Sequence, residues 1–182
     1  PIEGIEPGLG ELVAEVSESG RLQAYTSTDV LNSVNVVLVS VQTPIEDHDH
    51  KPRYKHLQTA LEAIAHAIQP GTLVIIESTL APGTMYNIVM PELEKQSQLI
   101  VGKDLFIGHC PERVTPGKLL HNLRTMSRVV GGYTPQIAEV MATLYGQYVQ
   151  GDLDTTDILT AEIVKTGENA YRDVQIAFAN EL

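Results

Sequence analysis

Cysteine is almost absent from this sequence, which has only Cys110 among its 182 residues. One thiol cannot build an internal disulfide framework or a multi-cysteine metal site. Long apolar runs are also missing, because none approaches the ~20 residues that a membrane-spanning helix needs. The N-terminus lacks the basic and apolar regions of a signal peptide. We therefore expect a cytoplasmic protein without a membrane partner.

Positive charge is scarce as well. The chain has 12 Lys and Arg against 23 Asp and Glu, a formal net charge of −11. Such a surface repels a phosphate backbone, so we expect no nucleic-acid partner, and a few placed cations must meet any anionic ligand. Two of the six histidines, His48 and His50, lie in the charged loop 46–51, which reads as a solvated turn. No metal is expected.

An apolar content of 43% is enough for one domain, with the beginning of a second.

Short apolar runs bounded by Gly, Pro or Asp predict buried strands. Runs rich in Val and Ile predict a largely parallel sheet. These runs are Asn35–Val41, Thr72–Glu77, Asp104–Gly108 and Arg128–Gly131, with Leu22–Tyr25 as a further short strand.

Helical patterns separate the predicted strands. They cover Tyr54–Ile68, Thr84–Gln96, Gln136–Tyr148 and Asp157–Leu182, and Glu11–Val16 reads as the tail of another helix. Strands that alternate with helices of this length indicate βαβ units in an α/β, doubly wound, Rossmann-like sheet. Ligands of such sheets bind where the strands end in loops, at the carboxyl edge.

The loops at this edge carry hydroxyls, prolines and charges. They are Val41–Pro44, Glu77–Thr84 and His109–Gly117. Ser and Thr beside Pro are also ordinary turn chemistry, so one such loop is weak evidence. Three successive loops of this kind favour a nucleotide site.

A glycine-rich phosphate loop is missing. Gly8 and Gly10 do not follow a strand, so they fail the structural context of a G-x-G-x-x-G dinucleotide fingerprint. We therefore expect that the chain begins partway through its own fold, without the first βαβ unit. The predicted boundary places the latter part of a nucleotide-binding domain in residues 1–150 and the start of a central helical domain in 151–182.

The predicted long helix carries a polar line. Glu162, Lys165, Asn169 and Arg172 recur at spacings of three, four and three, which places them on one face. An ammonium one turn from an amide can bind a carboxylate or phosphate, or stabilise an oxygen that becomes negative during a reaction. A solvated stripe is the alternative. The apolar residues expected to pack around this line are Ile158, Ile163, Val164, Tyr171, Val174 and Phe178.

Five motifs follow one another along the chain. They are VQTP at 41–44, EST with PGT at 77–84, CPERV with PG at 110–117, RVVGG at 128–132, and AEIVKTGENAYRD at 161–173 followed by ANE at 179–181. Together they resemble the UDP-glucose/GDP-mannose dehydrogenase family, and within it the UDP-N-acetyl-D-mannosamine 6-dehydrogenases and relatives acting on other UDP-N-acetylhexosamines. The resemblance covers nearly the whole chain.

The resemblance implies an NAD-dependent enzyme that oxidises the 6-hydroxyl of a UDP-sugar twice, to the uronic acid. Thr43 and Thr79 would contact NAD. Arg113, Val114 and Arg172 would meet the substrate, together with Lys165 and Asn169, which with Glu112 form the implied catalytic set. The family's central helices pair, so a homodimer is implied as well.

Two departures qualify these implications. The family's catalytic cysteine lies in a Gly-rich loop of a later domain, which this sequence lacks, and Cys110 reads as a small packing residue. Without that thiol and the phosphate loop, we expect the chain alone to be inactive. Arg113 and Pro116 stand where relatives that oxidise UDP-glucose tend to carry Phe and a second Glu, which favours an N-acetylhexosamine substrate.

Two other functions stay open on the sequence. A truncated paralogue could serve as a non-catalytic dimerising or interaction module. A different NAD-dependent hydroxyacid dehydrogenase would share a doubly wound domain and a long helix with Lys and Asn one turn apart. The Pro-Glu-Arg-Val sequence at 111–114 favours nucleotide sugars over the latter.

Overall fold

The computed structural model describes residues 6–46, 48, 51–114 and 116–182. Within them, five strands form one sheet in the order β1-β2-β3-β4-β5. The strands are β1 Val36–Val39, β2 Leu73–Ile76, β3 Phe106–His109, β4 Arg128–Gly132 and β5 Leu153–Asp157. The α-helices of the described part are α1 Leu9–Glu18, α2 Lys55–Ala65, α3 Met90–Ser97, α4 Leu119–Thr125, α5 Pro135–Tyr145 and α6 Ile158–Asn180. His50 of the predicted turn and Thr115 lie outside the described residues.

The first three strands are parallel, and β2 is buried throughout, whereas β1, predicted as a buried strand, alternates, with Val36 and Leu38 exposed. Val37 pairs with Val74, which pairs with Ile107. All four residues of β2 are buried, because α2 and α3 cover one face of the sheet while α5 covers the other. Two covered faces explain why this strand is apolar throughout rather than alternating. The predicted doubly wound α/β fold is confirmed.

The fourth strand runs the other way. β4 is antiparallel to β3, with Gly132 opposite Gly108, and β5 is parallel to β4. The segment from Cys110 to Ser127 returns along the carboxyl edge instead of crossing a face of the sheet, and such a return produces antiparallel pairing. Arg128 therefore begins its strand at the edge where β3 ends.

The fifth strand was not predicted. Its sequence, Leu-Asp-Thr-Thr-Asp, is mostly polar, and none of its residues is buried. It lies beyond residue 150, the predicted domain boundary, yet it joins the sheet through β4. The division at residue 150 stays a prediction.

Helix α6 crosses the sheet face that carries α2 and α3. Asp157 caps it by accepting a hydrogen bond from the Thr160 N–H at 2.9 Å. Ile158 is buried in the core on this face. The helix can approach β4 closely because residue 131 is glycine: a Cβ atom there would lie 2.8 Å from the Ala161 Cβ. From this contact α6 runs to the carboxyl edge of β1, β2 and β3.

The expected packing of α6 is largely wrong. Of the six apolar residues predicted to pack, only Ile158 is buried, whereas Ile163 is 51% exposed and Tyr171, Val174 and Phe178 are each 67% exposed. The polar line instead faces the domain: Glu162 is fully buried, Lys165 and Asn169 are half-buried, and only Arg172 is exposed. Polar side chains can occupy this face because the loops beneath it offer hydrogen-bond donors and charges.

Three smaller differences between the prediction and the structure concern single elements. Residues 22–25 form no strand: Leu22 and Tyr25 are exposed, and these residues are not part of the described five-stranded sheet. A π-helical segment, Met85–Val89, precedes α3 and begins where the helix was predicted to begin. The short α4, which spans seven residues and has no buried residue, was not predicted.

Candidate active site

Two strand-end loops are bonded to each other at the carboxyl edge. The Thr43 hydroxyl donates to the Thr79 carbonyl oxygen at 2.8 Å. The Ser78 hydroxyl accepts from the Val41 N–H at 2.9 Å and donates to the Val41 carbonyl at 2.7 Å. These bonds hold the loops after β1 and β2 as one unit. The predicted cofactor residues, Thr43 and Thr79, are thereby brought together.

A cavity of about 300 Å³ opens between these loops and α6. Thr43, Thr79 and Asn169 line it with polar groups. Its remaining wall is mainly apolar and small, with Ile45, Pro52, Tyr54, Leu80, Ala81, Thr166, Ala170 and Asp173. An apolar slot with a few convergent polar groups is typical of a small-molecule site.

Glu162 fastens α6 to the loop after β2. Its carboxylate accepts the Gly83 N–H at 2.7 Å and the Met85 N–H at 2.9 Å. At the start of a helical segment, such N–H groups have no acceptor within the helix. The Glu162 carboxylate therefore caps the segment that begins at Met85, although it belongs to a different helix. Burial raises the pKa of Glu162, and the backbone donors oppose that rise.

Glu112 is held by three donors just after β3. One carboxylate oxygen accepts the N–H groups of Arg113 and Val114, at 2.6 and 3.0 Å. The other accepts Nη2 of Arg128 at 2.9 Å. The side chain of Glu112 is 31% exposed, so the carboxyl group reaches the site while its orientation is fixed from behind.

Arg128 lies in a buried polar cluster behind Glu112. Its guanidinium carbon is 5.1 Å from the ring centroid of Tyr145 and 5.7 Å from that of Tyr148. The Tyr145 hydroxyl donates to Glu77 at 2.8 Å, and the other oxygen of Glu77 accepts from Ser40 at 2.9 Å. Burial, followed by the neighbouring acidic groups, raises the pKa of the Tyr145 hydroxyl.

Cys110 is part of the same cluster. Its side chain is fully buried, and burial raises the pKa of its thiol to about 11 although Arg128 opposes the rise. A thiol that stays protonated at neutral pH is a poor nucleophile. The geometry agrees with the packing role predicted for this residue.

Arg113 is engaged in two interactions. Its Nη1 donates to the Ser127 carbonyl at 3.0 Å, and its Nη2 forms an ion pair with Glu168 of α6. These contacts bring the loop after β3 against the polar face of α6. The Arg113 side chain is three-quarters buried, which leaves a limited part of the guanidinium for a substrate.

Lys165 lies between charged neighbours of both signs. Burial lowers the pKa of its ammonium, Glu168 opposes that effect, and Arg172 and Arg113 add to it. No hydrogen bond links this ammonium to another side chain or backbone group in the part of the chain that the structure describes. Asn169, one turn further along α6, accepts from Nη2 of Arg172 at 3.1 Å. Lys165 therefore has unused donors beside Glu112 and Arg113.

The structure gathers the predicted residues into two adjoining groups. Thr43, Thr79 and Asn169 line the cavity, while Glu112, Arg113 and Val114 lie in the loop that faces Lys165. Arg172 is at the exposed rim. Sequence reasoning overlooked Arg128, Glu77, Tyr145 and Glu168, because their roles depend on contacts between distant elements. A charged residue opening a predicted buried strand, as Arg128 does, was the available signal.

The described residues fit one end of an NAD molecule. An apolar slot with hydroxyl and amide groups at its rim suits a flat polar ring such as nicotinamide. The helix start at Gly83 offers no place for the pyrophosphate, because Glu162 already occupies its N–H groups. Binding of the phosphates therefore needs a cradle other than this helix.

None of the helices in the described residues combines the length and the apolar content that a membrane span requires. Across the same residues, no group of three or more His, Cys, Asp and Glu side chains is placed to hold a metal ion.

Comparison with known proteins gives close relatives. UDP-N-acetyl-D-mannosamine dehydrogenase of Pyrococcus horikoshii is 38% identical over 97% of this chain and 42% of its own length. UDP-N-acetyl-D-glucosamine 6-dehydrogenase of Pseudomonas aeruginosa is 37% identical over 99% of this chain and 43% of its own. The chain thus spans about two-fifths of the curated relatives it matches.

Solved structures agree. The Pyrococcus horikoshii UDP-D-ManNAc dehydrogenase superposes with a TM-score of 0.92 at 38% identity, over 98% of this chain and 42% of the other. An NDP-N-acetyl-D-galactosaminuronic acid dehydrogenase from Methanosarcina mazei gives 0.91 at 34% identity, over 100% and 38%. Residues 1–149 match the model of the NAD binding domain of one family. The chain belongs to the UDP-glucose/GDP-mannose dehydrogenase family, whose cofactor is NAD.

Proposed function

We propose that this chain is part of an NAD-dependent nucleotide-sugar 6-dehydrogenase. Its substrate would be a UDP-N-acetylhexosamine, UDP-N-acetylmannosamine in the first place, and its product the uronic acid. The names of the relatives at 37 and 38% identity support this substrate class. The family resemblance supports the same class, since Arg113 and Pro116 stand where relatives that oxidise UDP-glucose tend to carry Phe and a second Glu.

One observation carries the proposal. The hydroxyl loops that line the cavity and the loop that presents Glu112 meet the same polar face of α6. A cofactor ring in the cavity and a sugar beside Lys165 would then be neighbours, as hydride transfer requires. Bound NAD supplies the hydride acceptor.

The chain's own residues supply binding and electrostatics. The Lys165 ammonium would stabilise negative charge that develops on the reacting oxygen of the sugar, and the Asn169 amide would donate beside it. Glu112 would handle the proton or the attacking water. Arg113, Val114 and the exposed guanidinium of Arg172 would contact the nucleotide sugar.

A substrate panel tests the proposal. The full-length protein encoded by the gene is incubated with NAD and, separately, with UDP-N-acetylmannosamine, UDP-N-acetylglucosamine, UDP-N-acetylgalactosamine and UDP-glucose. We expect two NADH per sugar oxidised and the highest kcat/KM for an N-acetylhexosamine. A preference for UDP-glucose would contradict the substrate assignment, and no NADH with any sugar would contradict the enzymatic function.

A second candidate is a non-catalytic dimerising module. Three large apolar side chains, Tyr171, Val174 and Phe178, are exposed near the end of α6, and such side chains are typical of a surface that another chain covers. The same observation supports a homodimer of the enzyme through this helix. A cytoplasmic location and the absence of nucleic-acid and membrane partners stay predictions.

A further inference from the structure

We propose that Arg128 is a positioning residue that acts through Glu112. This inference rests on the proposed function, because it concerns the same site. In the sequence, Arg128 is the first residue of a predicted strand. Arg128 is 3% exposed, so its guanidinium is a cation enclosed within the domain.

A buried guanidinium needs compensation. Removing a charge from water is costly unless an opposite charge and hydrogen bonds offset the loss. Arg128 obtains one carboxylate contact at 2.9 Å from Glu112, a more distant one at 4.0 Å from Glu77, and the faces of Tyr145 and Tyr148. Its Nη1 has no hydrogen-bond partner among the described residues. Glu112 is thus its principal counterion.

The two carboxylates of the cluster are held differently. Glu77 is fixed by Tyr145 and Ser40, independently of the guanidinium. Among the described residues, Glu112 accepts from Arg128 and from two backbone N–H groups of its own loop, and both N–H groups bind the same oxygen. Arg128 donates a hydrogen bond to the other oxygen and so fixes the rotation of the carboxylate plane. Without Arg128, the carboxyl group of Glu112 could turn towards solvent.

The position of Arg128 excludes direct contact with a substrate. Its side chain is 3% exposed, its Nη2 donates to Glu112, and the rings of Tyr145 and Tyr148 lie against its guanidinium. The residue therefore influences the reaction by orienting Glu112. Loss of orientation should lower kcat and leave substrate binding nearly intact.

A double-mutant cycle in the full-length protein tests this role. Arg128→Met should lower kcat about 10- to 100-fold, as misplacement of a catalytic group does, while KM for NAD and for the nucleotide sugar changes less than about threefold. In a Glu112→Gln background the same substitution should cause no further loss, because the group that it orients is already inactive. Arg124→Met, which removes an exposed guanidinium on α4, is the matched control and should keep wild-type kcat.

A second substitution keeps the test valid where Arg128→Met does not fold. Arg128→Lys retains the charge but lacks the planar set of donors, so we expect about a three- to tenfold loss of kcat that again disappears in the Glu112→Gln background. Losses that multiply across the cycle, or folded Arg128 variants with wild-type kcat, would overturn the role. An inactive wild-type protein would remove the proposed function and this role with it, whereas an active wild type with additive losses removes the role alone.

Discussion

At the scale of single residues, the most unusual feature is a set of ionisable groups enclosed at the end of the sheet. His109, Cys110 and Arg128 are each at most 3% exposed. Each group is accommodated in the interior in a different way. His109 donates to a backbone carbonyl, and the Cys110 thiol stays protonated. The Arg128 guanidinium pairs with a carboxylate and lies against two aromatic rings. Groups of this kind make stability depend on pH and on single substitutions.

His109 predicts a loss of stability in mild acid. Burial lowers its pKa from 6.5 to about 4, so the folded protein keeps the imidazole neutral while the unfolded chain binds a proton below pH 6.5. The stabilisation is present above about pH 6.5 and is lost as pH falls towards 4. A shift of this size corresponds to about 3 kcal/mol.

His109→Asn tests this expectation. The amide can still donate to the Ile76 carbonyl, which accepts from His109 Nδ1 at 2.8 Å, but it does not titrate. Urea unfolding of both proteins at pH 7 and pH 4.5 should show a smaller pH dependence for the variant. The same pH dependence in both would mean that His109 does not contribute to acid sensitivity.

At the scale of elements, α6 matters most, because it joins the sheet to the site. Its contact with β4 depends on Gly131, where an added Cβ would lie 2.8 Å from Ala161 and 2.9 Å from the Asp157 carbonyl oxygen. Gly131→Ala should therefore destabilise the protein by about 1–3 kcal/mol.

Gly167 provides the matched control on the same helix. A Cβ there meets no atom within 4 Å, so Gly167→Ala should stabilise by up to about 1 kcal/mol through helix propensity. Thermal unfolding of the two alanine variants should give changes of opposite sign. Equal effects would show that α6 does not pack on β4 at this distance.

Glu162 gives a second prediction for α6. Glu162→Ala leaves the buried N–H of Met85 and the part-buried N–H of Gly83 without their acceptor and should cost about 2–3 kcal/mol. Asp157→Ala removes an exposed cap from the same helix and should cost only about 1 kcal/mol. Denaturant midpoints compare the two variants, and an equal loss would contradict the bridging role of Glu162.

Strands with an apolar run could be predicted from the sequence, whereas elements whose position depends on contacts with distant residues could not. β2 was found because its Leu-Val-Ile-Ile run needs apolar cover on each side. β5 was missed because four of its five residues are polar, and the reversed direction of β4 was missed because direction depends on the path of the preceding loop. Likewise, the Arg128 contact with Glu112 joins residues 16 positions apart and has no local pattern.

At the scale of the whole molecule, the chain combines an NAD binding domain with a helix that extends beyond it. The residues of α6 after position 170 are all exposed, and their apolar members have no partner among the described residues. Covering such side chains removes apolar surface from water and favours association. The proposed homodimer would use this part of the helix.

Val174 and Val140 form a matched pair for testing the dimer. Both are exposed valines, at 67% on α6 and 59% on α5. In the full-length protein, Val174→Ser combined with Phe178→Ser should lower the mass measured by light scattering from dimer towards monomer, whereas Val140→Ser should not. A dimeric mass for both variants, or a monomeric wild type, would contradict pairing through this helix.

The account as a whole depends on Lys165. If the polar face of α6 forms the active site, Lys165→Ala in the full-length protein should lower kcat with a UDP-N-acetylhexosamine by about 10²-fold to 10³-fold, with NAD binding little changed. Glu168 is unsuitable as a control because it pairs with Arg113, so Lys95→Ala, on the exposed side of α3, takes that place. The measurement is kcat at saturating NAD and nucleotide sugar for both folded variants. The account predicts near wild-type activity for Lys95→Ala and a large loss for Lys165→Ala, and equal activity in the two would contradict it.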